Sequence, residues 1–339
     1  LNRLGGPRPL HRLLRDLGVS TLDRPALDYG LGLTIGNAEV SLLELTNAYA
    51  TLARLGRHRP ATLEPGGSTP LAGNRPFSPE SAYLVADILT DNRARSDAFG
   101  PRSSLRFPFR CAVKTGTSSD FRDNWCLGFT ADLTVGVWVG NFDTSPMRGI
   151  SGVSGAGPIF HRAMLACHTD RPARWPAQPA QLARLTIDTR TGRRLPDESI
   201  EPFAAPELCH RGHLPLPASD ADYDREHRAL LDARFTEWFH SEDNARRDDF
   251  ALTPDPALAG NPRIISPMPT ATYLLDPELP SGGSRLKLLS NLPGTASWSS
   301  PTLRIVGDTA HLHPGRHQIV LTDPHSGRTL TREITVESL

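Results

Sequence analysis

The chain has 339 residues, and its 37 lysines and arginines are balanced by 37 aspartates and glutamates. A balanced chain of this length argues against a nucleic-acid partner held by bulk electrostatics and leaves room for two or three domains with real cores. Four cysteines without a Cys-x-x-Cys pair are too few for a disulfide scaffold, and no apolar run is long enough to cross a bilayer. The even number still permits two bridges, although buried free thiols are the expectation for Cys111 and Cys126.

The first element expected is a short helix over 10–17, with Leu13, Leu14 and Leu17 on one face and a stop at Gly18. Residues 30–36 are expected to form an irregular, closely packed crossing. Ser41-Leu-Leu-Glu44 reads as a capping box opening a helix that turns Leu42, Leu45, Tyr49, Leu52 and Ala53 inward and ends at Gly56. Ser78-Pro79-Glu80 opens another, running to about Thr90, because proline in the first turn sacrifices no hydrogen bond. Asp91 to Phe107 is expected as a charged loop whose arginines form a solvated rim.

The most informative stretch is Arg110-Cys-Ala-Val-Lys-Thr-Gly-Thr-Ser-Ser119. Cys111 and Val113 alternate with Arg110, Ala112 and Lys114 at the period of a strand. Lys114, Thr115, Gly116 and Thr117 then bring an ammonium, two hydroxyls and bare backbone N–H groups to one corner, a binding place for an anion or a peptide carboxylate. Two further strands, 124–130 and 133–140, follow around a turn at Asp132, so the motif lies on the first strand of a small antiparallel sheet. The glycine-rich stretch 149–157 reads as a turn that brings the helix at 158–166 back over the sheet.

From 168 to 262 the texture becomes proline-rich. A hairpin over 185–195, a loop over 209–219, a helix over 223–239 and a solvated run over 241–249 are expected there. Cys209, His210 and His213 lack a fourth ligand at zinc-site spacing, so no metal or other cofactor is expected. Residues 263–338 show short strands at 285–290, 302–306, 317–322 and 329–336, separated by turns at 314–315 and 323–327. That spacing fits a small β-sandwich of immunoglobulin type with Trp298 in its core.

The order of these motifs, with Lys-Thr-Gly-Thr-Ser at 114–118, Phe-Arg-Asp-Asn-Trp at 121–125 and Val-Gly-Val-Trp-Val-Gly at 135–140, resembles the second half of the transpeptidase domain of the class A penicillin-binding proteins, the 1C type in particular. The resemblance implies an α+β fold in which residues 1–168 are the C-terminal part of a serine transpeptidase domain, 169–262 a connecting segment and 263–339 the β-sandwich module. It also implies acyl transfer on peptidoglycan stem peptides ending in D-alanyl-D-alanine, with β-lactams as mimics. Lys114, Thr115, Gly116 and Thr117 would bind substrate, and the Thr117 N–H would be one oxyanion donor. Cell-wall protein partners through the sandwich, and a periplasmic location in a parent anchored to the inner membrane, follow from the same likeness.

The family places Ser-x-x-Lys and Ser-x-Asn ahead of Lys-Thr-Gly. Here no Ser-x-Asn occurs, and the only Ser-x-x-Lys, Ser284 to Lys287, follows Lys114 and falls on an expected strand. With Leu1 rather than Met at its start, the chain is expected to be a piece of a longer protein. The nucleophile, its lysine base, a glycosyltransferase half and a membrane anchor would then lie upstream, and the 339 residues alone would be inactive. The alternatives are a non-catalytic peptidoglycan- or protein-binding module, and hydrolysis as a D,D-carboxypeptidase or β-lactamase.

Overall fold

The structure, a computed structural model, describes residues 5–63, 73–232, 235–253, 262–269, 271–275, 283–290, 292, 297–324 and 327–338. Its chain divides into two units. One comprises Leu10–Pro25 and Ile35–Ala183; the other comprises Leu1–Pro9, Ala26–Thr34 and Arg184–Leu339. Among the described residues no helix is long and apolar enough to cross a membrane.

Helix α1 (Arg8–Asp16) ends at Gly18, whose φ of 87° suits glycine alone. Helix α2 (Ala26–Tyr29) and a 3-10 turn over Leu31–Ile35 occupy the stretch expected to be irregular; Leu33 is buried there and Ile35 exposed. Helix α3 (Leu42–Ala53) is capped by the Ser41 hydroxyl, which accepts the Glu44 N–H at 3.2 Å. The Glu44 carboxylate also takes the N–H and hydroxyl of Ser20 at 3.1 and 2.5 Å. Burial would raise that carboxyl, but hydrogen bonds from Ser20 and Ser41 outweigh it and hold it below its ordinary value. Ala48, Thr51 and Ala53 are the buried residues of α3, whereas Leu42, expected inward, lies exposed at its first turn. Helix α4 (Pro79–Ile88) starts as expected, with Ser78 accepting the Ser81 N–H at 3.1 Å.

Residues 92–99, expected as loop, form helix α5 (Asn92–Phe99). The Asp91 carboxylate caps it, accepting the N–H groups of Arg93 and Ala94 at 2.8 and 3.0 Å. Arg95 is not part of a solvated rim either. Its guanidinium donates to the carbonyls of Leu89 and Val113 at 2.9 and 3.2 Å and to Asn92 Oδ1 at 2.6 Å.

The centre of this unit is an antiparallel sheet of β1 (Ala112–Thr117), β2 (Asp123–Phe129) and β3 (Thr134–Gly140), in that order, followed by helix α6 (Ala156–Cys167). The register aligns Thr115 with Cys126 and Val137, and Gly116 with Trp125 and Trp138. Both faces are covered. On one, Phe160 and Met164 of α6 join Cys111, Val113 and Cys126; on the other, Ala53 and Ala86 meet Ala112 and Phe129. Cys111, Ala112 and Val113 are therefore all buried, and the expected alternation is lost until Lys114. Glycines let the layers approach: a Cβ on Gly128 would sit 2.2 Å from the Ala112 carbonyl oxygen and 2.6 Å from Phe160 Cζ.

In the other unit, β4 (Leu182–Asp188) pairs with β5 (Ala204–His210), so Cys209 belongs to a strand rather than a loop. The hairpin expected over 185–195 closes through Asp188 N–H to Arg193 O at 2.9 Å and Leu195 N–H to Thr186 O at 2.8 Å. Asp188 is fully buried and is held by Arg190 and the Tyr223 hydroxyl, each at 2.8 Å. Burial pushes its carboxyl up, but the hydrogen bonds from Arg190 and Tyr223 prevail and leave it below the usual carboxylate value. A depressed native pKa contributes stability that is present above about pH 4 and lost as pH falls through the native value. Acid titration of the wild-type chain should therefore show a loss of stability below about pH 4 that Asp188→Asn lessens, the remainder coming from other depressed carboxylates such as Glu44; an unchanged pH profile in the variant would contradict this.

Strands β6 (Ala229–Leu231) and β7 (Phe250–Leu252) pair in parallel, and the helix expected over 223–239 shrinks to α7 (Thr236–His240). Asp224 Oδ1 accepts the N–H groups of Glu226 and Arg228 at 3.1 and 2.8 Å, and His227 has a φ of 59°. That local turn outcompetes the helix; residues 233–234 lie outside the described set.

The remaining strands are β8 (Ile264–Ser266), β9 (Thr272–Leu275), β10 (Arg285–Lys287), β11 (Leu289–Ser290), β12 (Ser297–Ser299), β13 (Arg304–Val306), β14 (Thr309–His311), β15 (Gly315–Thr322) and β16 (Thr329–Ser338). They form sheets β12-β15-β16-β9 and β10-β14-β13 and the pair β11-β8. One apolar core, Leu288, Leu303, Ala310, Leu312, Ile319, Ile334 and Val336, draws on both larger sheets, with Trp298 half-buried against it. Strands β9, β12 and β14 escape the sequence pattern because each is four residues or fewer. The turn at 323–327 is closed by Gly327 N–H to Asp323 O at 2.8 Å, and residues 325–326 lie outside the described set. Lys287 of the stray Ser-x-x-Lys sits on β10, with its ammonium 2.9 Å from Asp308 Oδ2.

Candidate active-site edge

In an antiparallel ladder, alternate residues turn both backbone groups away from the neighbouring strand. Val113 turns away from β2: its N–H donates to the Leu89 carbonyl at 2.9 Å, and its carbonyl accepts from Arg95. Two and four residues on, Thr115 and Thr117 present their backbone groups to the same side. The α4–α5 segment thus occupies the edge of β1 as far as Val113, and among the described residues no other segment pairs with that edge from Lys114 onward.

Lys114 is exposed, and its ammonium donates to the Thr115 carbonyl. It is one of only two lysines in the chain; every other basic residue counted with them is arginine. A compact ammonium at this position is therefore a departure from the protein's own habit. Strand alternation puts Lys114 and Gly116 on the sheet face that α3 covers, beside Trp125 and Trp138, and Thr115 and Thr117 on the α6 face. The ammonium and the two hydroxyls, expected at one corner, flank the open edge from its two sides.

Gly116 is not demanded by the fold, since an added Cβ would meet the Trp125 Cβ at an ordinary 3.4 Å. Beyond Thr117 the turn to β2 is tight: Ser118 N–H donates to Asp123 O at 2.9 Å, and Asp123 N–H to Ser118 Oγ at 2.7 Å. Asp120 and Phe121 are both left-handed, with φ of 58°. Asp123 Oδ1 then accepts the Trp138 indole N–H at 2.9 Å.

The glycine stretch 149–157 does more than the expected turn. Gly152 N–H donates to Thr117 Oγ1 at 2.9 Å, and Asn124, the cross-strand partner of Thr117, is fully buried. The Asn124 amide nitrogen reaches Met147 Sδ at 3.8 Å, and its Oδ1 has no hydrogen-bond partner among the described residues. Glycine richness marked this loop in the sequence, but nothing there named Thr117 as its partner. Cys111 and Cys126 are free and buried, and burial pushes both thiols up to about 12, so neither is poised as a nucleophile. In the other unit the His210 and His213 rings lie 5.4 Å apart, and no group of three or more metal-binding side chains converges among the described residues.

No protein-family model matches the chain. It is 29% identical over 157 residues to penicillin-binding protein 1C of Escherichia coli, an alignment covering 46% of this chain and 20% of that one. Over 126 residues it is 33% identical to penicillin-binding protein 1A of Pseudomonas aeruginosa, covering 37% and 15% respectively. Over these stretches the chain is similar to class A penicillin-binding proteins. It spans a fifth or less of the length of these two relatives. A crystal structure of penicillin-binding protein 1A from Haemophilus influenzae matches 62% of this chain and 37% of its own, at 21% identity and a TM-score of 0.49. As in the sequence reading, the α+β architecture joins an antiparallel sheet to covering helices, and Lys-Thr-Gly ends the sheet's first strand.

Proposed function

We propose that this chain supplies the Lys-Thr-Gly wall of a D,D-transpeptidase groove in a peptidoglycan synthase of the 1C type. Residues 1–168 belong to the transpeptidase domain, 169–262 connect, and 263–339 form an immunoglobulin-like module that offers a surface to cell-wall proteins. The observation that carries this reading is the open edge of β1 from Lys114 to Thr117.

A stem peptide ending in D-alanyl-D-alanine adds to that edge as a strand, its backbone pairing with the outward groups of Thr115 and Thr117. A serine oxygen attacks the penultimate carbonyl carbon, the C–N bond breaks, and D-alanine leaves with the proton. An amine of a neighbouring stem peptide then displaces the serine from the ester, forming the cross-link and restoring the hydroxyl. Lys114 attracts the terminal carboxylate and steadies the proton network, the Thr115 and Thr117 hydroxyls donate to the carboxylate, and the Thr117 N–H stabilises the oxyanion. β-Lactams acylate the same serine by ring opening.

The serine and its lysine are supplied by polypeptide beyond these residues, because no Ser-x-x-Lys precedes Lys114. The work takes place at the periplasmic face of the inner membrane, where the parent also carries the glycosyltransferase. Produced within its full reading frame, the protein should take a covalent label from fluorescent penicillin, competed away by unlabelled penicillin, whereas the 339 residues alone take none. No label on the full-frame protein would favour a docking module over an enzyme, and label on the 339 residues alone would reveal a nucleophile within them.

A further inference from the structure

We infer that Gly152 is a positioning residue that fixes the Thr117 hydroxyl as a hydrogen-bond donor to the ligand's carboxylate, and so sets the preference for an anionic over a neutral ligand end. The inference rests on the transpeptidase reading above and extends it to a residue outside the Lys-Thr-Gly motif.

A threonine hydroxyl has one hydrogen to give and can accept from others. Gly152 N–H donates to Thr117 Oγ1 at 2.9 Å, which fills an acceptor position and turns the hydroxyl hydrogen elsewhere. Thr117 is exposed, and no acceptor for that hydrogen is found among the described residues, so it points to the open side of the edge. A negatively charged oxygen arriving there meets a donor whose orientation is already set, which strengthens the bond and removes an ordering cost.

Only glycine brings the amide this close. A Cβ at Gly152 would lie 2.5 Å from the Gly116 carbonyl oxygen and 2.9 Å from that of Trp125. The position is itself fixed from behind, since the Gly152 carbonyl accepts the Gly157 N–H at 2.8 Å in the first turn of α6. Helix α6 is anchored in the sheet core by Phe160 and Met164. On its other side, Ser154 Oγ accepts the Ser151 N–H at 2.9 Å and shapes the approach. The core thus sets α6, α6 sets Gly152, and Gly152 sets the Thr117 hydroxyl.

The test uses the full-reading-frame protein and compares acylation rates by a penicillin with its free carboxylate and by the methyl ester of the same penicillin. The wild type should prefer the free acid. Gly152→Ala should cut that preference by about 10-fold, the worth of one charge-assisted hydrogen bond. Ser154→Ala, a milder disturbance of the same loop, should cut it by a few-fold and covers the case in which Gly152→Ala fails to fold. Thr117→Ser should keep the preference and Thr117→Val should lose it, and Gly152→Ala should add nothing in the Thr117→Val background. A folded Gly152→Ala protein with an unchanged acid-to-ester ratio overturns the inference while leaving the transpeptidase reading intact. Failure of the wild type to acylate at all overturns both.

Discussion

Lys114→Ala, in the full-reading-frame protein, should slow acylation by a fluorescent penicillin roughly 100-fold or more, the scale at which a positioned proton-handling or charge-stabilising group acts. The side chain is exposed and, among the described residues, hydrogen-bonds only to the neighbouring Thr115 carbonyl, so the fold should be unharmed. Loss of labelling with an unchanged melting temperature is the expected pair of results. Lys114→Arg is the sharper comparison, because the chain uses arginine almost everywhere else that it needs a positive charge. A planar guanidinium cannot place a point charge where the ammonium sits, so Lys114→Arg should remain impaired. Undiminished labelling of Lys114→Ala would remove this strand edge from the mechanism.

The largest effect on stability should come from Phe160→Ala. The ring is completely buried, packs edge-on against Phe107 with centroids 5.8 Å apart, and lies over Gly128. Its loss should cost about 3–5 kcal/mol, since the transfer energy and the cavity left behind add. Thermal unfolding followed by tryptophan fluorescence should show a fall of roughly 10 °C in Tm for this unit. Ile159→Ala, one position away and partly exposed, should shift Tm by much less than Phe160→Ala. Equal shifts for the two variants would mean that α6 is not anchored as described. Gly128→Ala should approach Phe160→Ala in severity from the opposite direction, because the added methyl meets the Ala112 carbonyl oxygen, a backbone atom that no rotamer change can move.

Phe160 matters beyond stability because α6 carries the Gly152 loop. A cavity under α6 should loosen the latch on Thr117 as well as lower Tm, so Phe160→Ala should reduce the acid-to-ester preference even at temperatures where the protein stays folded.

Local chemistry made much of this protein legible in its sequence. Ser41 and Ser78 announce helix starts because a hydroxyl three residues ahead of an amide is a near-neighbour interaction that needs no tertiary partner. Strands β2 and β3 and the turn at Asp132 follow from an apolar run too short for a helix and punctuated by polar residues. Lys-Thr-Gly-Thr could be placed on a strand next to a turn for the same reason. Where local signals compete, the sequence misleads: Asp91 caps a helix in a stretch that reads as charged loop, and Asp224 folds a turn in one that reads as helix.

Only the tertiary structure decided which parts of that motif face open space. Strand alternation says that Lys114 and Thr115 point to opposite faces, but not which edge of β1 is free, and that depends on Leu89 and Arg95 arriving from 18 or more residues away. The contact of Gly152 with Thr117 spans 35 positions and exists because α6 packs its buried face on the sheet. Residue types fix the available donors and acceptors; the direction in which each one points is set by packing between elements distant in the chain, which no local pattern records.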